Sequence, residues 1–341
     1  MNILIVGFGT AGRYYYNLLK NLNYIENIFV TDNFDLPKIK KLKKFIFNKK
    51  NLKIYNINHA IVATPSNLHY EYSKILLENS INVLIEKPFA LKIEHAKKLI
   101  SLSKNKDIKC WVVFQNRYNK AIQGLKELIT SKKLGKVFLV DSSLIWKRDY
   151  NYYKSSWKGR YSSDGGVLTN QAIHLLDSLF YLFGKVKKFN SILKYNKKKL
   201  DAEDLVLINM EHESGLVSTL KATTRADSNY QSALDIIGEK GRALVKGISL
   251  NTLHLFKSNK IFNILSKSEN FKKGLGPIGA MGTGHKKILD EFLNPNLFKS
   301  SKEIEIYKNI HIMKVIHSVY LNNDSNNLFK VQGKQSRLGL E

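Results

Sequence analysis

The sequence predicts an α/β protein in two parts: a doubly wound parallel sheet first, then a domain built on a mostly antiparallel sheet. Three observations predict it. An apolar run at Ile3–Val6 ends in Gly7-Phe8-Gly9-Thr10-Ala11-Gly12, and helical patterning follows through Leu22. Strand-like and helix-like segments then alternate as far as Phe114, which is the pattern of βαβ units. Beyond about Asn116 the regular helical crossovers stop, and strand-like runs follow one another. Short turns between consecutive strands indicate antiparallel pairing.

In the first part the expected strands are Ile3–Val6, Ile28–Thr31, Leu52–Tyr55, Ala60–Ala63, Val83–Ile85 and Lys109–Phe114, with helices at Tyr70–Asn79 and Ile93–Lys104. The second of these helices puts Ile93, Ala96, Leu99 and Ile100 on one stripe, with lysines opposite. In the second part a helix at Lys120–Ser131 precedes strands at Val137–Trp146, Lys188–Leu193, Leu205–Glu211, Leu216–Ala222, Ala233–Ile237 and Ala243–Lys246. Gly238-Glu239-Lys240-Gly241 reads as the hairpin turn between the last two. One helix, Leu168–Phe183, interrupts the strands, and two more are expected near His285–Phe292 and Glu303–Tyr320. The domains are placed at residues 1–117 and 118–341.

With 341 residues, 43% of them hydrophobic, the chain can bury real cores. A single Cys110 excludes a disulfide framework and a Cys-rich metal site, and no metal is expected. The first residues lack the pattern of a signal peptide, and no apolar run is long enough for a membrane span. A cytoplasmic protein with no membrane partner is the expectation. The net charge of +27 raises the question of nucleic acid. The lysines, however, are scattered among asparagines, as in Asn48-Lys49-Lys50-Asn51 and Asn196-Lys197-Lys198-Lys199. No nucleic-acid partner is therefore expected; a diffuse positive field would instead draw anionic substrates such as sugar nucleotides.

The glycine turn is a dinucleotide fingerprint. Gly7 permits the tight turn, Gly9 lets backbone approach a pyrophosphate, and Gly12 lets helix pack close on strand. The helix N-terminus then offers free N–H groups to the anion. Asp32 ends the second strand, twenty residues past Gly12, where a carboxylate accepts the ribose hydroxyls. It would repel a 2′-phosphate, so NAD is favoured over NADP. Asp32 as a mere cap of the next segment is the alternative, and Lys38, Lys40 and Lys41 nearby weaken the preference for NAD.

Four further segments stand out. Ala63-Thr64-Pro65-Ser66-Asn67-Leu68-His69 follows the fourth strand, where ligands gather at strand carboxyl ends. Thr64 and Pro65 would form a stiff wall under a nicotinamide. Asn67 and His69 either touch the cofactor or serve the scaffold, Asn67 as an N-cap. Glu86-Lys87-Pro88 sits at the mouth of the next strand, with a proline that permits a cis bond. Lys87 would point at the bound ring and substrate; a surface ion pair is the alternative. From Asp164 to Asp177, helical spacing puts Asn170, His174 and Asp177 on one face, a costly group to bury unless used or paired. The glycine-rich Gly274–His285 stretch either cradles a phosphate or is a surface loop.

Gly7–Gly12, Ala63-Thr64-Pro65, Glu86-Lys87-Pro88 and the run from Gly165-Gly166 through His174 to Asp177 occur in one order. Together they resemble the glucose–fructose oxidoreductase / inositol dehydrogenase family, Gfo/Idh/MocA. The resemblance implies an N-terminal Rossmann domain and a C-terminal α/β domain with a large open sheet. It also implies NAD(P)-dependent oxidation or reduction of a sugar, cyclitol or nucleotide sugar, and association as a homodimer or homotetramer through that sheet. Lys87 matches the family's active-site lysine, His174 its proton-accepting histidine, and Asp177 the acid after it, here assigned to substrate binding. Gln115 opens a segment that resembles the one beside the cofactor; Trp157 and Arg160 resemble residues that approach nicotinamide and substrate. Asn170 stands where many members have Asp: it can position a hydroxyl but cannot act as a base. Ala172 replaces a frequent glycine. The Asn170-Gln171 pair and the terminal Ser336-Arg337-Leu338-Gly339 resemble a subset associated with surface-polysaccharide and nucleotide-sugar pathways. Neutral His174, near pKa 6.5 as a free group, suits proton acceptance. Lys87, near 10.4, suits oxyanion stabilisation. A catabolic cyclitol or aldose dehydrogenase and a catalytically silent NAD-binding paralogue are the alternatives.

Overall fold

The structure is a computed structural model that describes residues 1–33, 41–154, 157–195, 200–257, 260–265, 284–294, 301–323 and 327–340. Lys38, Lys40, Asn196–Lys199 and most of the Gly274–His285 stretch lie outside these residues. Internal contacts divide the chain into two units: Met1–Val113 with Ile288–Ile310, and Phe114–Lys287 with His311–Glu341.

The first unit contains β1 (Asn2–Val6), α1 (Thr10–Leu19), β2 (Asn27–Thr31), β3 (Leu42–Lys44), α2 (Lys49–Ile54), β4 (His59–Val62), α3 (His69–Glu78), β5 (Asn82–Ile85), α4 (Ile93–Lys106) and β6 (Cys110–Val112). The strands form one parallel sheet in the order β3-β2-β1-β4-β5-β6. Chain direction across the sheet reverses between β1 and β4, and ligands of such folds bind outside the strand carboxyl ends at that point. Ile3 to Val6, Ala60 to Val62 and Val83 to Ile85 are completely buried, because helices cover both faces of a parallel sheet. The stripe read on α4 is borne out by buried Ile93, Ala96 and Leu99. Where the chain returns, Phe292 packs 5.6 Å from Trp111 and 5.3 Å from His59, centroid to centroid. One expected strand is corrected: Leu52–Tyr55 falls largely in α2, whose N-cap Asn48 accepts the Asn51 N–H at 2.8 Å. The edge strand is instead β3.

The second unit contains α5 (Lys120–Thr130), β7 (Val137–Ile145), α6 (Tyr150–Tyr153), a π-helical turn (Leu168–Ala172) running into α7 (Ile173–Phe183), β8 (Val186–Lys194), β9 (Leu205–His212), β10 (Val217–Thr223), β11 (Gln231–Gly238) and β12 (Gly241–Lys246). Then come β13 (Thr252–Lys257), β14 (Lys260–Leu265) and β15 (Phe329–Lys330), while α8 (Gly284–Leu293) and α9 (Ile306–Leu321) each belong in part to the first unit. The sheet has nine strands in the order β14-β13-β12-β11-β7-β10-β9-β8-β15. β7 and β10 pair parallel, and the other registered neighbours run antiparallel. Gly238 pairs with Gly241, so Glu239-Lys240 closes the expected hairpin. Along β9, Val206, Ile208 and Met210 are buried while Leu207 and Asn209 face away, the alternation of a sheet covered on one face. β13, β14 and β15 had no counterpart in the sequence reading. Among the described residues, no helix is long and apolar enough to cross a membrane.

Candidate active site

In the first unit the glycine turn is held by contacts that only glycine allows. Gly7 has φ +94°, and a Cβ there would meet the Ala63 carbonyl oxygen at 2.7 Å, so the turns after β1 and β4 touch at the switch point. A Cβ on Gly12 would lie 2.0 Å from the Gly7 oxygen. Gly9 differs: it is exposed, and a Cβ there would meet nothing within 4 Å. Protein packing does not require glycine at that position, whereas close approach of a ligand would. The Asp32 carboxylate accepts N–H bonds from Phe8 and from Asn33, the latter at 2.6 Å, which ties the acid to the turn. Thr64 Oγ1 is buried with no hydrogen-bond partner among the described residues. A glycine with a clear approach, an acid at the end of β2 and a lone hydroxyl at the switch point fit a dinucleotide. Gly7, Phe8, Gly9, Thr10, Ala11 and Gly12 with Asp32 would hold its pyrophosphate and ribose, and Thr64 and Pro65 the nicotinamide end.

Two side chains expected at the cofactor hold the scaffold. His69 is 1% exposed; Nδ1 meets the Pro88 carbonyl at 2.7 Å and Nε2 the Thr64 carbonyl at 2.9 Å. Burial holds its pKa below the ordinary value, against the pull of the two carbonyls. The ring thus ties the turn after β4 to the turn after β5. Glu86 accepts the buried Tyr15 hydroxyl at 2.7 Å and the Lys87 N–H at 3.3 Å, and burial foremost, then that carboxylate, drives the Tyr15 pKa up. His69 and Glu86 thus brace the Lys87-Pro88 turn, whose peptide is cis. Lys87 is half-buried. Asn67 is exposed in a 3₁₀ turn (Ser66–Leu68), and α3 has no side-chain cap, so the capping role falls away.

In the second unit the π turn is built around Glu203. Its backbone carbonyl accepts the Val167 N–H at 2.8 Å, and its carboxylate accepts Leu168 N–H at 2.8 Å and the hydroxyls of Tyr320 at 3.0 Å and Tyr161 at 3.3 Å. A Cβ on Gly166 would lie 2.1 Å from that carbonyl and carboxylate, which explains the glycine. Burial pushes Glu203 up to about 7 against those hydrogen bonds. The sequence signal was an acid outside any motif, and the reading missed it. The Trp157–Arg160 loop contributes backbone: the Arg160 carbonyl accepts Asp164 N–H at 2.9 Å and Gly165 N–H at 2.8 Å, while its side chain is exposed. The Trp157 carbonyl accepts Ser163 Oγ at 2.5 Å.

Asn170 Nδ2 donates to buried Asp164 at 2.5 Å and to the Tyr152 hydroxyl at 3.3 Å. The Asn170 amide nitrogen is thereby held by two protein groups. His174, half-buried, lies in the first turn of α7, and its carbonyl takes the Ser178 hydroxyl at 2.8 Å. Asp177, expected at the substrate, meets a protein group. It is 0% exposed and accepts Arg117 Nη2 at 2.5 Å and Nε at 3.0 Å. The Arg117 guanidinium also lies 5.1 Å from the Phe114 ring and 5.2 Å from Tyr181. Asp177 therefore anchors α7 through Arg117. Gln115 opens the 3₁₀ turn (Gln115–Tyr118) that delivers Arg117. No group of His, Cys, Asp and Glu suited to a metal occurs among the described residues.

Family comparison agrees with both halves. A model described as "Oxidoreductase family, NAD-binding Rossmann fold" matches residues 1–114, and "GFO/IDH/MocA C-terminal domain" matches residues 122–244. The chain belongs to the GFO/IDH/MocA family of oxidoreductases, with its NAD-binding Rossmann fold. An uncharacterized oxidoreductase of Synechocystis sp. is 29% identical over 204 residues, 54% of this chain and 53% of the relative. Levoglucosan dehydrogenase of Pseudarthrobacter phenanthrenivorans is 25% identical over 258 residues, 66% of each. The chain thus spans about half the length of the first of these curated relatives and about two thirds of the other. The WlbA dehydrogenase of Bordetella pertussis, solved with NADH and UDP-GlcNAcA, shares the fold with a TM-score of 0.82 at 21% identity, covering 97% of this chain and 98% of that one.

Proposed function

We propose that the protein is an NAD-dependent dehydrogenase or reductase that moves hydride between nicotinamide and a hydroxyl-bearing carbon of a sugar or nucleotide sugar. The observation that carries this is the anchored π-turn and helix: Asn170 oriented by Asp164, and His174 one turn from an Arg117–Asp177 anchor, in a chain with an NAD-binding fold. NAD, when bound, supplies the ring carbon that accepts or returns hydride. His174 takes the hydroxyl proton as the carbonyl forms, and gives it back in the reverse direction. Lys87 stabilises the negative charge on that oxygen. Asn170 accepts a substrate hydroxyl, and Gln115 and Trp157 complete the cofactor surroundings. Asp32 selects NAD over NADP.

The nucleotide-sugar class is supported by the WlbA likeness and by Asn170-Gln171. The reading extends to a cytoplasmic enzyme of surface-polysaccharide biosynthesis, the pathway being suggested by the resemblance of Asn170-Gln171 to that subset. The outer face of the nine-stranded sheet, with Ile192 and Val217 more than 40% exposed, would join copies into a homodimer or homotetramer. A catabolic aldose dehydrogenase is the second reading, favoured by the levoglucosan dehydrogenase relative. The test is a screen of reduced-nicotinamide absorbance with NAD⁺ and NADP⁺ over nucleotide sugars, aldoses and cyclitols. Turnover confined to nucleotide sugars with NAD⁺ is expected. Turnover confined to free aldoses or cyclitols selects the second reading, and no turnover on any of them refutes the hydride chemistry.

A further inference from the structure

Beside Asn170, in the second unit, Tyr152 stands among cations and indoles. Its hydroxyl takes Gln171 Nε2 at 3.2 Å as well as Asn170 Nδ2. Lys158 Nζ lies 3.9 Å from the Tyr152 ring centroid, and the Arg148 guanidinium lies 5.2 Å from it. The same cations lie against two indoles, Arg148 4.8 Å from Trp146 and Lys158 5.4 Å from Trp157.

Two like charges on one ring repel, and ring quadrupoles offset that repulsion only in part. Among the described residues, neither cation forms a salt bridge. The nearby carboxylate, Asp164, already takes the Asn170 amide. One Arg148 donor goes to the Lys147 carbonyl at 2.6 Å. Burial holds the Lys158 pKa below its ordinary value, Asp164 opposes, and Arg148 pushes it lower again. Trp146 Nε1 is a buried donor with no acceptor among the described residues. The cluster therefore has surplus positive charge and a donor without an acceptor. An anion seated between the two cations would compensate that charge.

We propose that Arg148 and Lys158 form an anion subsite beside Asn170 that receives the negatively charged group of the substrate, a carboxylate or a phosphate. This deepens the function proposed above, because it rests on Asn170 facing the substrate. The arrangement favours a charged sugar derivative over a neutral polyol: hydrogen bonds to charged groups are the stronger ones, and a neutral ligand would leave the cations uncompensated.

The test is calorimetric titration of the full-length, NADH-loaded protein, in which hydroxyl oxidation cannot proceed. The probes are UDP-glucose (diphosphate), glucuronate (carboxylate) and glucose (neither). The wild type is expected to bind at least one anionic probe well above glucose. UDP-glucose alone identifies a phosphate as the anion, glucuronate alone a carboxylate, and either supports the subsite. In R148Q and K158Q that affinity should fall about tenfold or more each, with glucose binding and NADH affinity unchanged. Binding of the anionic probes no tighter than glucose overturns the proposal, as does unchanged affinity in both variants. Charge-dependent binding without turnover in the activity screen would instead refute the hydride reading and leave the subsite standing. Turnover on neutral sugars with no preference for anions would do the opposite.

Discussion

Replacing Asp177 by alanine separates an anchoring acid from a substrate-binding one. The carboxylate is 0% exposed and Arg117 is 3% exposed, with bonds of 2.5, 3.0 and 3.2 Å between them. D177A leaves a buried guanidinium facing aromatic rings with no counter-charge. Breaking a buried pair from one side costs about 3–5 kcal/mol, which in a unit of this size lowers Tm by roughly 10 °C. Replacing both partners by apolar groups of similar size restores most of the loss, because no charge then remains buried. Since His174 precedes Asp177 by one turn of α7, the loosened helix should lower kcat more than it raises KM. Scanning calorimetry and steady-state kinetics on D177A and on R117M/D177L read both effects. A D177A protein as stable as the wild type, with KM alone raised, would refute the anchor and return Asp177 to the substrate.

Three further outcomes follow from named contacts. D32A should weaken NAD binding by about tenfold and bring NADP within reach of it, since a carboxylate facing the 2′ position is removed; coenzyme titrations check this. Because Glu203 is held up to about 7 in the fold, its contribution to stability is complete at pH below 4.5 and is lost as pH rises through 7. E203Q should flatten that fall, on the order of 3 kcal/mol across the window, as measured by denaturant unfolding at successive pH values. G12A puts a methyl 2.0 Å from the Gly7 oxygen, so it should cost about 1–3 kcal/mol and weaken NADH binding, measurable by fluorescence titration.

The parallel sheet was legible because its strands are unbroken apolar runs and its glycine turn has one spacing. The antiparallel strands were legible from strand-like runs that follow one another without helical crossovers and from the Gly238–Gly241 hairpin. Leu52–Tyr55 misled because a short apolar stretch does not distinguish strand from helix; the Asn48 cap decides it. The π turn was invisible because its register is set by Glu203, 35 residues from the Leu168 N–H it accepts. Lys87, Asn170 and His174 could be singled out from motif order. That His69, Glu86 and Asp177 act on neighbouring protein groups could not, since a motif carries residue types and not the partner each side chain meets. The Arg148–Tyr152–Lys158 cluster joins two residues outside helices and strands to the short α6, with no period at all.

The central claim is that Lys87 and His174 perform the chemistry on a substrate alcohol. Its most direct test is kcat/KM for K87A and H174A on the substrate found by the screen, with NADH affinity measured in parallel. Each variant is predicted to lose about 10²–10⁴-fold in kcat/KM while NADH binds as before. Near-normal turnover in both would contradict the account.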